Sequence, residues 1–197
     1  MSPAQVDLEI RECIVEKAGW TNIEGTILNL PPSDSLRAHE TRVSVEVVGS
    51  TIREAGGENG FEGEKPENIT MASSAMAQQM NPNSKSPFPP GTYQLTVQNN
   101  RLEGEGGYDV VIGNPGVRFV LPPEQSTFEV VMRENMISDS GEAEFLIAAP
   151  KASIDARKNC WGTSEGLSKE RVLLKQTAEL SQLDVSEPSS CAEVESN

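Results

Sequence analysis

Short runs of alternating apolar and polar residues, each closed by Gly, Pro or Asn, occupy the chain from Pro89 to Pro150. Gly91–Val97 alternates and is followed by Asn99-Asn100 and by a Gly-rich turn at 104–107. Tyr108–Ile112, Val117–Leu121, Thr127–Met132 and Ala143–Ala148 follow, separated by Gly113-Asn114-Pro115-Gly116, Pro122-Pro123 and Ser138–Gly141. A period of two is the signature of a strand with one buried face. Asn and Gly between such runs read as hairpin punctuation, because both tolerate positive φ. The spacing predicts a mainly β chain, an antiparallel β-sandwich or barrel of about eight strands.

The N-terminal half extends the pattern. Val6, Leu8 and Ile10 alternate with Asp7, Glu9 and Arg11, and the phase slips near Arg11-Glu12, as at a bulge or bend. Ile23–Leu30 reads as a strand. Val43, Val45 and Val47 give the cleanest alternation in the chain, with a run-on toward Ile52. Residues 1–150 are therefore expected to form one β domain, with a long polar insertion at about 55–88. Within that insertion, Thr70 caps a predicted short helix that places Ala72, Met76 and Met80 on one face. Residues 151–183 read as a helical extension, with Ser168 capping a helix to about Leu183. Residues 184–197, with four acids, no base and Pro188, read as a disordered acidic tail. No internal repeat is evident.

Composition excludes several functions. The formal net charge of −14 argues against nucleic acid, which requires a cationic face, and against an anionic membrane surface. No apolar run approaches the roughly 20 residues of a membrane span. Three cysteines, Cys13, Cys160 and Cys191, make no disulfide framework, so reduced thiols in a cytoplasmic setting are expected. An intracellular assembly or virion component fits the same features. The sequon Asn68-Ile69-Thr70 reads as accidental.

No catalytic motif is found. The single histidine, His39, has no local orienting partner for a Ser–His–Asp or Cys–His system. One His and three scattered Cys do not make a zinc site. Gly104-Glu105-Gly106-Gly107 has Asp109 where a dinucleotide fingerprint requires its last Gly, and it leads into a strand. No cofactor and no metal are expected. Trp20, Met71, Met76, Met80 and Trp161 are the candidate partner contacts, because aromatic and Met side chains anchor adaptable interfaces.

The string Pro90-Gly91-Thr92-Tyr93-Gln94-Leu95-Thr96-Val97 resembles the strand start of prealbumin-like β-sandwich modules. It covers nine residues with Pro89 and implies a turn feeding a strand, with no function attached. Two functions follow as expectations. One is a non-enzymatic β-sandwich that works by protein–protein contact or self-association, as an accessory subunit of a larger assembly. The alternative is a calycin-like β-barrel around a small apolar ligand or chromophore.

Overall fold

A computed structural model describes residues 4–17, 21–28, 41–55, 67–74, 91–104, 107–113, 126–138, 143–149, 151–162, 166–174 and 181–195. Every strand pairing among them is parallel, and no strand pairs with its neighbour in sequence. The first sheet contains β1 (Ala4–Arg11), β4 (Thr41–Val48), β7 (Gly91–Gln98), β10 (Thr127–Arg133), β13 (Ala152–Asp155) and β15 (Gln182–Asp184), in that order. The second sheet stacks β2 (Ile14–Glu16), β5 (Thr51–Arg53), β8 (Arg101–Glu103) and β11 (Met136–Ser138), and is extended by a Met136–Cys160 bridge. The third stacks β3 (Thr21–Leu28), β6 (Glu67–Ser74), β9 (Tyr108–Gly113), β12 (Ala143–Ala148) and β14 (Val172–Leu174). The chain visits the sheets in turn, one strand each, and then begins the next level. The described residues form a parallel β-coil of five rungs, with β15 opening a sixth level.

This corrects the antiparallel sandwich or barrel. The alternation does mark strands, but their partners lie one full rung away. The calycin-like alternative falls with the barrel. The predicted helix from Thr70 is strand β6 up to Ser74, and it lies inside the supposed insertion. The C-terminal helix is also overturned. Lys169–Arg171 form one 3-10 turn, Val172–Leu174 continue the third sheet, and Gln182–Asp184 pair with β13. The only α-helix among the described residues is α1, Cys191–Glu195, in the stretch read as a disordered tail. The Val117–Leu121 strand lies outside the described residues.

The same side-chain types stack on successive rungs. Val43, Tyr93, Phe128 and Ala152 share one inward row, and Val45, Leu95, Val130, Ile154 and Leu183 share the next. Tyr93 and Phe128 stack with ring centroids 4.5 Å apart and planes 8° from parallel. Parallel strands lie about 4.8 Å apart, so an in-register aromatic pair falls into a stacked contact. Ile52, Leu102 and Ile137 line the second sheet, and Ile69, Val110 and Phe145 line the third, all buried. β9 and β12 are buried at every position, so their outer sides are covered as well. Gly113, at the end of β9, has φ +88°, and a Cβ there would sit 2.4 Å from the Ala149 backbone nitrogen. Only glycine fits that crossing.

Candidate functional site

One corner of the coil, between the first and second sheets, is built the same way on each rung. A residue with positive φ stands there: Glu12, Gly49, Asn99, Glu134, Lys158 and, after the last rung, Glu187. At the four middle corners the residue after it turns inward. Ser50, Asn100, Asn135 and Asn159 occupy that place and are all nearly inaccessible. Asn135 Oδ1 accepts from the Asn100 backbone N–H at 2.9 Å, and Asn159 Oδ1 accepts from the Asn135 N–H at 3.0 Å. Asn100 Oδ1 accepts from the Ser50 N–H at 2.8 Å, and Ser50 Oγ from the Cys13 N–H at 3.1 Å. The amide Nδ2 groups donate to Val47, Val97 and Met132 carbonyls of the preceding rungs. The ladder satisfies backbone groups that the corner removes from the sheet. Its role is structural.

A second polar row crosses the third sheet. Asn22 Nδ2 donates to Asn68 Oδ1, and Asn68 Nδ2 donates to Asp109 Oδ1, each at 2.9 Å. Glu144 takes the next rung and accepts from Arg171 Nε through both oxygens, at 3.1 and 2.9 Å. Asn68, the sequon asparagine, is 1% exposed and committed to this row. Tyr108, Val111, Ala143 and Leu146 form a separate apolar cluster on the same sheet.

The outer face of the first sheet is a charged ribbon. Arg11 binds Glu9 and Glu46, and Gln94 Nε2 donates to Glu129 at 2.8 Å. Asp155 meets Arg157 at 2.9 Å and also Arg133, while Asp184 on the next strand lies 3.6 Å from Arg157. The Arg157 hydrogen bond, with Arg133 adding to it, holds the Asp155 carboxyl far below the usual carboxylate range. Ser186 hydrogen bonds, then Arg157, lower Asp184. Arg53 lowers Glu16 in the same way. A general acid for glycoside cleavage needs a raised pKa, so this pairing favours fixed charge over proton transfer.

A folded-state pKa below the ordinary value stabilises the fold above that value and is lost as pH falls through the folded value. For Asp155 the loss begins below its ordinary 3.8. The stability of the wild type to urea is therefore expected to fall as pH drops below about 4 and to go on falling below pH 3. Asp155→Asn is expected to be less stable at pH 7, with the gap narrower but still open at pH 3. A gap of the same size at both pH values contradicts the assignment.

The two ends of the coil differ. Val6 and Leu8 are in register with Val43 and Val45 of the next rung. Val43 and Val45 are 6% and 2% exposed, whereas Val6 and Leu8 are 55% and 41% exposed. At the other end Leu183 and Val185 pack partly buried against the core. There the Cys160–Cys191 disulfide ties α1 to the fifth rung, which corrects the expectation of reduced thiols; Cys13 alone is free and exposed. An open groove of about 510 Å³ follows the ladder corner, lined by Arg11, Glu12, Arg101, Glu134 and, from α1, Val194.

Of the expected contact residues, Met71 and Trp161 lie among the described residues, and both are interior. Met71 is fully buried in the core and unavailable to a partner. Trp161 is 5% exposed and lies against Phe145 at 5.9 Å, so it is a core residue on the fifth rung. Trp20, Met76, Met80 and His39 lie outside the described residues. Among the described residues no group of three or more His, Cys, Asp or Glu is placed to hold a metal ion, and no helix is long and apolar enough to cross a membrane. Comparison with protein families, curated proteins and solved structures finds no match to this chain.

Proposed function

We propose that this chain is a non-enzymatic interaction protein, an accessory or structural part of a larger assembly, and that it docks through the N-terminal end of its coil. The observation that carries this is the exposure of Val6 and Leu8 directly above the buried Val43 and Val45. Apolar side chains in register with a core, left facing solvent beside a strand edge, mark a surface built to be covered. The charged ribbon of the first sheet keeps the flank soluble, and the net charge of −14 disfavours nucleic acid as the partner. The Cys160–Cys191 disulfide supports an oxidising compartment over the cytoplasm.

Replacing both end residues by lysine tests this. Val6→Lys/Leu8→Lys is expected to change Tm by less than about 4 °C, because exposed substitutions stay within about 0.5 kcal/mol each. The same change at Val45, Val45→Lys, buries an unpaired charge and is expected to abolish cooperative folding. A collapse of the end variant matching that of Val45→Lys means that the chain covers its own end, and the proposal fails.

A further inference from the structure

We propose that β1 receives a partner's β-strand by edge addition, and that this strand alternates apolar with basic residues. The inference rests on the docking reading above and names the chemistry of the partner. β1 is an end strand, hydrogen-bonded to β4 alone among the described strands. Its eight residues offer a long edge of backbone donors and acceptors, which is what strand addition uses. Val6, Leu8 and Ile10 face the coil interior, in register with Val43, Val45 and Val47. A strand laid on this edge must put apolar residues over them to close the core.

The alternate positions carry the charge. Asp7 is hydrogen-bonded by Gln5 Nε2 at 2.8 Å and is in no ion pair among the described residues. Glu9 and Glu46 share one guanidinium, that of Arg11. The outward row of the edge is therefore short of cations. In parallel in-register addition, residues of the incoming strand lie about 4.8 Å from Asp7 and Glu9, within reach of Lys or Arg. Opposite charges on adjacent strands favour pairing and like charges oppose it.

The same charges act against a second copy, and only antiparallel pairings that overlap by five residues or fewer, such as those about Val6 or Ile10, escape them. Antiparallel pairing of two β1 strands about Leu8 sets Asp7 against Glu9 twice. Centring on Asp7 or Glu9 sets that carboxylate against itself. Centring on Ile10 brings Glu9 to Arg11, but the overlap is then three residues and leaves Val6 and Leu8 uncovered. Head-to-tail stacking places Glu9 in the row of Asp155 and Asp184, on the β15 edge. The acids on β1 thus act against self-stacking, as charged edges do elsewhere. The net charge of −14 also steers a cationic partner inward.

The probe is a ten-residue fluorescent peptide of alternating Lys and Val, with an alternating Glu and Val peptide as its counterpart. Both are titrated into the full disulfide-bonded chain by anisotropy, with hydrogen exchange read on β1. The Lys/Val peptide is expected to bind at least 10-fold tighter than the Glu/Val peptide and to slow exchange along β1. Asp7→Lys/Glu9→Lys is expected to invert that preference with an unchanged Tm. Equal binding of both peptides, or binding without protection on β1, overturns the strand assignment. If β1 exchanges fast in the free chain and neither peptide binds, the end is open and only the partner chemistry is wrong. If β1 is already protected in the free chain, or the chain sediments as an end-to-end dimer, the docking reading falls with it.

Discussion

Replacing Asn135 by alanine is expected to lower Tm by roughly 6–16 °C, from about 3–4 kcal/mol of lost stability at roughly 2–4 °C per kcal/mol for a chain of this size. Asn135 is wholly buried at the middle of the ladder. Its Oδ1 accepts from the Asn100 N–H at 2.9 Å and from Asn100 Nδ2 at 3.1 Å. Its Nδ2 donates to the Val97 carbonyl at 2.9 Å and to Asn159 Oδ1 at 2.8 Å. Alanine strands a buried backbone N–H, and a stranded donor costs about 1–3 kcal/mol before the other bonds are counted. Serine is the informative control. Ser50 already serves the ladder by accepting the Cys13 N–H at 3.1 Å. Asn135→Ser is therefore expected to recover about half of the loss. Thermal unfolding followed by circular dichroism measures all three. Equal losses for Ala and Ser, or a loss below about 1 kcal/mol for Ala, would show that the ladder does not hold the rungs together.

The strands of this coil were largely legible, and their pairing was not. Val43-Val45-Val47, Gly91–Val97 and Thr127–Met132 alternate because one side faces the interior, whichever way the neighbouring strand runs. Alternation is silent on direction. The corners misled for a related reason. Asn99-Asn100 supplies positive φ and an amide, as a hairpin does, but here the amide bonds to the preceding rung rather than closing a two-residue loop. The phase slip at Arg11-Glu12 was real: it is a corner, with Glu12 at φ 50°. Two signals pointed the other way. Val110-Val111-Ile112 and Phe145-Leu146-Ile147-Ala148-Ala149 are continuous apolar runs, the mark of strands covered on both sides. An acid or amide followed by Asn also recurs at 134–135 and 99–100. The repeat hides because the coil steps are unequal: the positive-φ corners fall at 12, 49, 99, 134, 158 and 187.

The candidate surface was less legible than the fold. Met71 reads as an interface methionine because composition does not distinguish a helix face from a strand interior; on β6 it points inward. Trp161 beside Gly162 reads as a rim residue, yet it is buried on the fifth rung against Phe145. Val6 and Leu8 belong to an ordinary alternation and become conspicuous only when β1 is the last strand of its sheet. An unpaired edge is a property of topology. No local residue pattern encodes it.

Removing the Cys160–Cys191 bond is expected to cost about 3–4 kcal/mol, from the chain entropy of closing a loop with a sequence separation of 31. At roughly 2–4 °C per kcal/mol this is a Tm loss of about 6–16 °C. α1 is five residues long, far below the length at which an isolated helix persists. Beyond the disulfide, its approach to the coil is fixed by the Ser189 N–H, which donates to the Asn159 carbonyl at 3.1 Å. Release of α1 removes Val194 from the wall of the corner groove while the ladder stays intact. Cys191→Ala is expected to match the reduced wild type in Tm and to be insensitive to reductant. Cys160→Ala is expected to lose more, because it also truncates a wholly buried side chain. Alkylation of the denatured chain should label Cys13 alone before reduction and all three cysteines after it. Three labelled thiols without reductant, or a Cys191→Ala variant as stable as the oxidised wild type, would remove the disulfide from this account. The five rungs above it would then depend on the ladder and the stacked core alone.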